Sequence, residues 1–197
     1  MSENEAIREL IARERQSRVT ADIPALEACY WPDALVVTSW TGGCVPVERY
    51  LHGGKAPVHD PERPIVSRIA YPIVHRRGVR SYVEAPQTTL RWLSVGGVRA
   101  VLTCYMRLLY EVERRDGEWR IVYFGSVYES DTLQPEIPGE ALPIDRERWA
   151  SLRHAYRNLA YVDAGTSPDL PGIDRPESVR ALYDRLEQWL AGGETEE

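Results

Sequence analysis

Apolar and polar residues alternate with period two through most of residues 65–133 and recur at helical spacing near both ends of the chain. Period two marks strands, because successive side chains point to opposite faces, whereas a helix returns to one face every third or fourth residue. The clearest stretch is Val98–Leu133, two strand-length runs joined at Asp116-Gly117. An Asp-Gly pair between alternating runs predicts a tight hairpin, since both turn residues need positive φ. If Arg115 faces Glu118, then Tyr105 faces Tyr128, Arg107 faces Ser126 and Tyr110 faces Tyr123. One face then carries Leu102, Cys104, Met106, Leu108, Tyr110 and Val112 opposite Glu129, Val127, Gly125, Tyr123, Ile121 and Trp119. That face is apolar with a few polar handles, as a core or a ligand cavity would be. A bulge in either strand would exchange the faces.

Read in order, Glu3–Arg18 is an amphipathic helix on Ile7, Leu10 and Ile11, and Asp22 is a cap for a second short helix. Trp31-Pro32-Asp33 ends that helix, and residues 34–41 form a strand stopped at Gly42-Gly43. Pro46–Leu51 reads as a short helix and residues 52–64 as a Gly- and Pro-rich loop. Ile65–Arg77 and Gly78–Trp92 are the next strands. Pairing Val95 with Val98 sets Thr89 against Cys104 and Gln87 against Met106, adding Val83, Ala85, Gln87 and Thr89 to the apolar face. Pro86, on the other face, lacks an N–H and demands a bulge or an unpaired position. Beyond Leu133 lie a proline-rich connector, a helix over residues 145–165 and a last helix over Pro176–Leu190. Helices followed by long antiparallel hairpins make an α+β fold, a cone-shaped curved antiparallel sheet closed by the N-terminal helices. Residues 1–135 are expected to form the cone, and residues 136–197 a linker and two-helix extension packed on it.

Composition narrows the function. A net charge of −6 argues against nucleic acid or an acidic membrane as partner. No apolar run reaches the ~18 residues of a membrane-spanning helix, and the charged N-terminus lacks the apolar centre of a signal peptide. Three cysteines without metal-ligand spacing imply reduced thiols in the cytoplasm and no metal site. The chain has 11 Tyr and 6 Trp against one Phe. Tyr and Trp bury area yet keep a polar tip, which suits wet cavities and interfaces.

The order of elements and the wording DIPALEACYWPDALVV, RLLYEVERRDGEWRI and VYESDTLQP resemble the SnoaL-like, nuclear-transport-factor-2-like domains over residues 5–135. The C-terminal helices, with NLAYVDAG and DLPGIDRPESVRALYDRLEQWL, resemble an extension found in a bacterial branch of them. The resemblance implies a cone-shaped αβ barrel and a homodimer or larger assembly. It includes scytalone dehydratase, ketosteroid isomerase, limonene epoxide hydrolase and polyketide cyclases, but also non-catalytic small subunits of ring-hydroxylating dioxygenases, so fold leaves function open. Aligned on Asp22, the Tyr-Asp pair of scytalone dehydratase falls on Arg18-Val19. Its strand tyrosine falls near Thr38, and its two histidines near Ser67 and Val83. Its histidine chemistry is therefore not expected here.

The remaining expectation is a cofactor-free lyase, isomerase or cyclase acting on an aromatic or polyketide-like small molecule. The alternative is a non-catalytic binding or structural subunit. Such an enzyme needs a base beside the reacting C–H and a donor for the oxyanion. Glu129, at the end of the strand that also carries Tyr123, is the candidate base, and Tyr110 and Tyr123 are candidate donors. Thr38, Trp40, Ser67, Gln87, Thr89 and Cys104 are the candidate substrate contacts, Thr38 and Ser67 through the resemblance alone. Glu129 and Asp131 equally suit ion pairs at the domain edge. His52 and His59 lie in the loop that could cover the cone, His75 and His154 suit the surface, and Cys104 lacks a partner base. The opposite face, with Tyr105, Arg107, Leu109, Phe124, Ser126 and Tyr128, has the Tyr and Arg content of an interface centre, and the homodimer is expected there.

Overall fold

The computed structural model describes residues 2–39, 41–52, 63–163 and 174–193. Six helices and seven strands are present among them. Helix α1 (Glu3–Thr20) opens with a capping box in which Ser2 and Glu5 satisfy each other's backbone N–H. Asp22 caps α2 (Ile23–Glu27) by accepting from the Ala25 N–H at 3.1 Å. Strand β1 (Tyr30–Val37) follows, then β2 (Cys44–Pro46) and α3 (Val47–His52). Next come β3 (Ile65–Ile69), β4 (Ile73–Arg77) and the long strands β5 (Arg80–Val95), β6 (Val98–Arg115) and β7 (Glu118–Pro135). Helices α4 (Arg146–Ser151), α5 (Arg157–Val162) and α6 (Pro176–Ala191) complete the chain.

The strands form one curved sheet in the order β2-β1-β7-β6-β5-β3, with β4 also paired to β5. All pairs are antiparallel except β1 with β7, so the sheet is mixed and mostly antiparallel. Asp116 and Gly117 take φ of 49° and 83°, the left-handed values the hairpin turn requires. The β5–β6 register holds from Val95–Val98 to Arg80–Glu113 with no bulge, so Thr89 meets Cys104 and Gln87 meets Met106 as expected. Pro86 needs no bulge. Its edge faces the gap where β3 ends and β4 begins, and there its carbonyl accepts from the Ala70 N–H at 2.8 Å.

The β6–β7 ladder departs from the even register twice. Val112 faces Ile121 but Glu111 faces Tyr123, so Val122 is extra; Met106 faces Tyr128 but Tyr105 faces Ser130, so Glu129 is extra. Each inserted residue exchanges the faces beyond it. Between the two bulges Phe124, Ser126 and Tyr128 turn inward, opposite Tyr110, Leu108 and Met106, and Tyr123 and Val127 turn outward. This corrects the even-register assignment, which put Tyr123 inside and Phe124, Ser126 and Tyr128 outside.

The concave face, α1, α3, α5 and the turn at Tyr156 enclose the main core. The stretch expected as one helix over residues 145–165 is instead broken at Leu152–Arg153, with a 3-10 turn at His154–Tyr156 between α4 and α5. On the convex face Tyr82, Leu109 and Val127 are covered by Leu186, with Val179, Leu182, Tyr183 and Leu190 of α6 around them. Arg107 donates to the Tyr183 hydroxyl at 2.6 Å. Of the face expected to pair two copies of the chain, Phe124, Ser126 and Tyr128 turn inward, Arg107 and Leu109 meet the last helix, and Tyr105 is exposed.

Candidate functional site

The concave face does not close completely. A cavity of about 290 Å³ remains between α1, the ends of β1 and β3, the middle of β5–β7 and α5. Leu102, Met106, Leu108 and Phe124 give it an apolar wall. Polar groups enter from several elements: Thr38 and Ser39 after β1, Ser67 on β3, Gln87 and Thr89 on β5, Cys104 on β6, and Ser126 and Tyr128 on β7. Three arginines line it, Arg15 and Arg18 from α1 and Arg91 from β5. Asp163, just past α5, pairs with Arg91 at 3.3 Å.

The buried end is organised by a residue the cavity does not expose. Glu14 lies on the stripe of α1 that also buries Ile7, Leu10, Ile11 and Ser17, and it is wholly buried. A buried carboxylate must be neutralised and hydrogen bonded. Tyr30 donates to it at 2.8 Å, Tyr110 at 3.1 Å, and Arg15 donates two N–H groups in a fork. Burial opposes the charge on Arg15, but Glu14, with Tyr110 and Tyr50, more than offsets this and holds the guanidinium pKa above its ordinary value. Burial likewise raises the pKa of Tyr30, Tyr50 and Tyr110, so all three remain neutral donors near neutral pH. Arg15 lies 4.9 Å from the Phe124 ring centre, and Arg18 lies 4.5 Å from that of Tyr50.

Two buried polar atoms here have no partner among the described residues, Oγ1 of Thr38 and Oε1 of Gln87. The Gln87 amide is oriented by its Nε2, which donates to Thr89 Oγ1 at 2.8 Å and to Met106 Sδ at 3.7 Å. Thr89 in turn shares a 3.2 Å hydrogen bond with Ser67. Cys104 is not a nucleophile in waiting: burial, and then the nearby Asp131 charge, push its pKa to about 12. Burial also lifts Tyr128 to about 12.

Of the residues the sequence nominates, Thr38, Ser67, Gln87, Thr89 and Cys104 meet around this cavity. Tyr110 lies just behind it, stacked on Phe124 at 5.0 Å and bound to Glu14. Glu129 and Tyr123 do not join them. The second bulge sets Glu129 on the outside, 46% exposed and paired with Arg107 at 2.7 Å. The first bulge turns Tyr123 outward beneath Arg185, 4.1 Å from its ring centre. Trp40 and His59 lie outside the described residues. His52 and His154 are exposed, and His75 stacks on Tyr82 and contacts Glu84 at 3.2 Å. Asp131 faces inward, but its oxygens accept from the Leu159 N–H at 2.7 Å and the Asn158 amide at 2.8 Å, anchoring α5. Burial raises its pKa.

Sequence reasoning missed Arg15, Arg18, Arg91, Tyr50 and Asp163. One signal was available for the first two: Glu14 falls on the apolar stripe of α1, where a carboxylate has no place without a buried cation. Among the described residues no group of His, Cys, Asp and Glu is placed to hold a metal ion, and no helix is long and apolar enough to cross a membrane.

No protein-family model matches the chain. An uncharacterized protein of Emericella nidulans, AN9274, is 27% identical over 186 residues, spanning 85% of this chain and 77% of that protein. Among solved structures, a hexachlorocyclohexane dehydrochlorinase (LinA, type 2) superposes with a TM-score of 0.57 at 15% identity, over 72% of this chain and 95% of that one. A candidate scytalone dehydratase from Novosphingobium aromaticivorans DSM 12444 gives 0.52 at 14%, over 71% and 95%. An NTF2-like protein with a cystatin-like fold from the same organism gives 0.50 at 19%, over 62% and 79%. Helices at the N-terminus, a curved and mostly antiparallel sheet, and these superpositions together give the chain the NTF2-like, SnoaL-like fold.

Proposed function

We propose that the chain binds a small aromatic or polyketide-like molecule in the cone and acts on it as a lyase, isomerase or cyclase that needs no cofactor. One observation carries the reading. Two buried polar atoms, on Thr38 and Gln87, have no partner among the described residues, and both residues line a ring-sized cavity that has an apolar wall and a polar rim. Such atoms cost free energy unless something enters to bond them, and a cavity near 300 Å³ in which polar groups converge beside an apolar wall is the usual form of a small-molecule site. Dehydrochlorinases and dehydratases, the activities named for two structural neighbours, both remove a proton and a leaving group from a small substrate. In this cavity Arg15 and Arg18 are suited to an oxygen gaining negative charge, and neutral Tyr50 and Tyr128 to donating protons. Asp163 is the carboxylate among the described lining residues and takes the place of Glu129 as proposed base. The three unpaired thiols support a reducing compartment, the cytoplasm.

The test begins with a thermal-shift screen of ring-bearing carbonyl and phenolic compounds, followed by absorbance assays of turnover on the hits. Asp163→Asn keeps the shape of the side chain and removes its basicity. It should lower turnover on the order of a hundredfold while binding persists. Equal turnover in Asp163→Asn rejects the base. Binding without turnover in the parent chain supports a non-catalytic binding protein instead.

A further inference from the structure

We infer that the cavity takes a planar organic anion that also carries a hydroxyl: the anionic oxygen meets the Arg15 and Arg18 guanidiniums, and the hydroxyl donates to Oε1 of Gln87. This rests on the cavity being the ligand site and goes further by assigning the charge and hydrogen-bonding pattern of what enters it.

The charge follows from the lining. Three arginines and one carboxylate, Asp163, line the cavity among the described residues; Arg91 pairs with Asp163 and Arg15 with Glu14 behind the wall, so these five groups together carry one positive charge in excess. Arg15 and Arg18 stand three residues apart on α1 and therefore project from one side of the helix. Their positions are set by the protein. Glu14 grips Arg15 through two N–H groups from behind, and the rings of Phe124 and Tyr50 lie beside the two guanidiniums at 4.9 and 4.5 Å. A planar, oriented guanidinium beside an aromatic wall suits a planar carboxylate or ionised enol, which accepts paired N–H bonds and stacks as it does so. Glu14 does not compete for this role, because four donors already hold it: Tyr30, Tyr110 and two from Arg15.

The hydroxyl follows from the amide. Gln87 is 8% exposed, and its carbonyl oxygen has no partner among the described residues. Its orientation is fixed because Nε2 touches the Met106 sulfur, and a thioether accepts hydrogen bonds but never donates them. Turning the amide over would set oxygen against sulfur and lose that contact. The amide of this cavity-lining residue thus offers an acceptor, which an O–H or N–H donor satisfies. Thr38, 6% exposed with its hydroxyl also unpartnered among the described residues, adds a second bond of either polarity.

Three probes of one shape separate these demands. 6-Hydroxy-2-naphthoate has both features, 2-naphthoate lacks the hydroxyl and 6-hydroxy-2-naphthamide lacks the charge. Isothermal titration of the full chain should find the hydroxy acid bound about tenfold or more tighter than the amide and about fivefold or more tighter than the plain acid. Because Arg15 is needed by Glu14, Arg18→Met is the variant for the charge; it should shrink the acid-to-amide ratio while circular dichroism stays that of the parent. Gln87→Leu should bring the hydroxy acid and plain acid to equal affinity and keep the acid-to-amide preference. The inference is overturned if the amide binds as well as the acid, if neither variant changes its ratio, or if none of the three binds at millimolar concentration. In each case the wider ligand reading stands or falls separately, on the neutral and phenolic compounds of the thermal-shift screen.

Discussion

Replacing Glu14 by Gln isolates the group on which the buried end of the cavity depends. The side chain keeps its size but loses its charge and one of its two acceptor oxygens. Glu14 receives four hydrogen bonds, from Tyr30, from Tyr110 and twice from Arg15. The tyrosine hydroxyls can rotate and accept from the new amide. Arg15 cannot, since a guanidinium only donates, so an N–H2 group and a guanidinium would confront each other inside the fold. Arg15 would also remain buried without its counter-charge, its side chain 11% exposed. Removing one partner of a buried pair typically costs about 3–5 kcal/mol. For a chain of this size that is a fall of roughly 6–20 °C in melting temperature. Urea unfolding followed by tryptophan fluorescence measures the loss directly. A cycle with Arg15→Met should show the double variant less destabilised than the two single losses added, because the second change removes the charge the first had stranded. If Glu14→Gln costs under about 1 kcal/mol, or if the single effects simply add, the pair does not hold this end of the cavity together.

Three further outcomes follow from other parts of the fold. A chain ending after Gly139 uncovers Tyr82, Leu109 and Val127, and light scattering should show it associating; a monodisperse product with unchanged melting temperature would contradict the packing of α6. Burial raises the Glu111 pKa and Arg185 pulls it down, so Arg185→Met should raise it further. Near pH 4 Glu111 is largely protonated folded or unfolded and little of its charge penalty applies, whereas the penalty develops as pH rises through the folded value. The variant's deficit in urea midpoint should therefore grow between pH 4 and pH 7, and a deficit equal at both would refute this. Iodoacetamide at pH 8 should label exposed Cys44 well ahead of Cys104, whose pKa of about 12 leaves roughly one thiolate in ten thousand; peptide mass spectrometry showing equal rates would count against the buried thiol.

What could be read in advance was whatever depends on period and local turn chemistry. The capping residues Ser2 and Asp22 belong to this class in retrospect and in prospect respectively, as do the Asp116-Gly117 turn and the even β5–β6 register that brings Gln87 and Thr89 to the cavity wall. The two bulges were not legible, because an inserted residue in a long strand of mixed character leaves no mark in the alternation. Val122 and Glu129 both look like ordinary members of β7. Yet those two insertions decide that Tyr123 and Glu129 leave the site while Phe124, Ser126 and Tyr128 enter or border it. Arg91 and Asp163 were hidden for another reason. They lie 72 residues apart and meet only once α5 has docked.

That docking ties the site to the C-terminal region. Asp131, inward-facing on β7, holds the backbone of Leu159 and the side chain of Asn158, and thereby sets α5 against the sheet. Leu159 and Asp163 then complete the cavity wall, while α6 crosses to the other face of the same sheet. The solved neighbours are nearly spanned, at 95% of their length, yet they account for only 71–72% of this chain. Fold likeness therefore cannot carry a neighbour's reaction across, because part of the cavity wall is contributed after the strands the cone requires. The proposed chemistry rests on Arg15, Arg18, Gln87 and Asp163 themselves. Any substrate that satisfies those four groups must be compatible with a wall closed by α5, so a ligand that binds only when Asp131→Ala has loosened α5 would be foreign to the site.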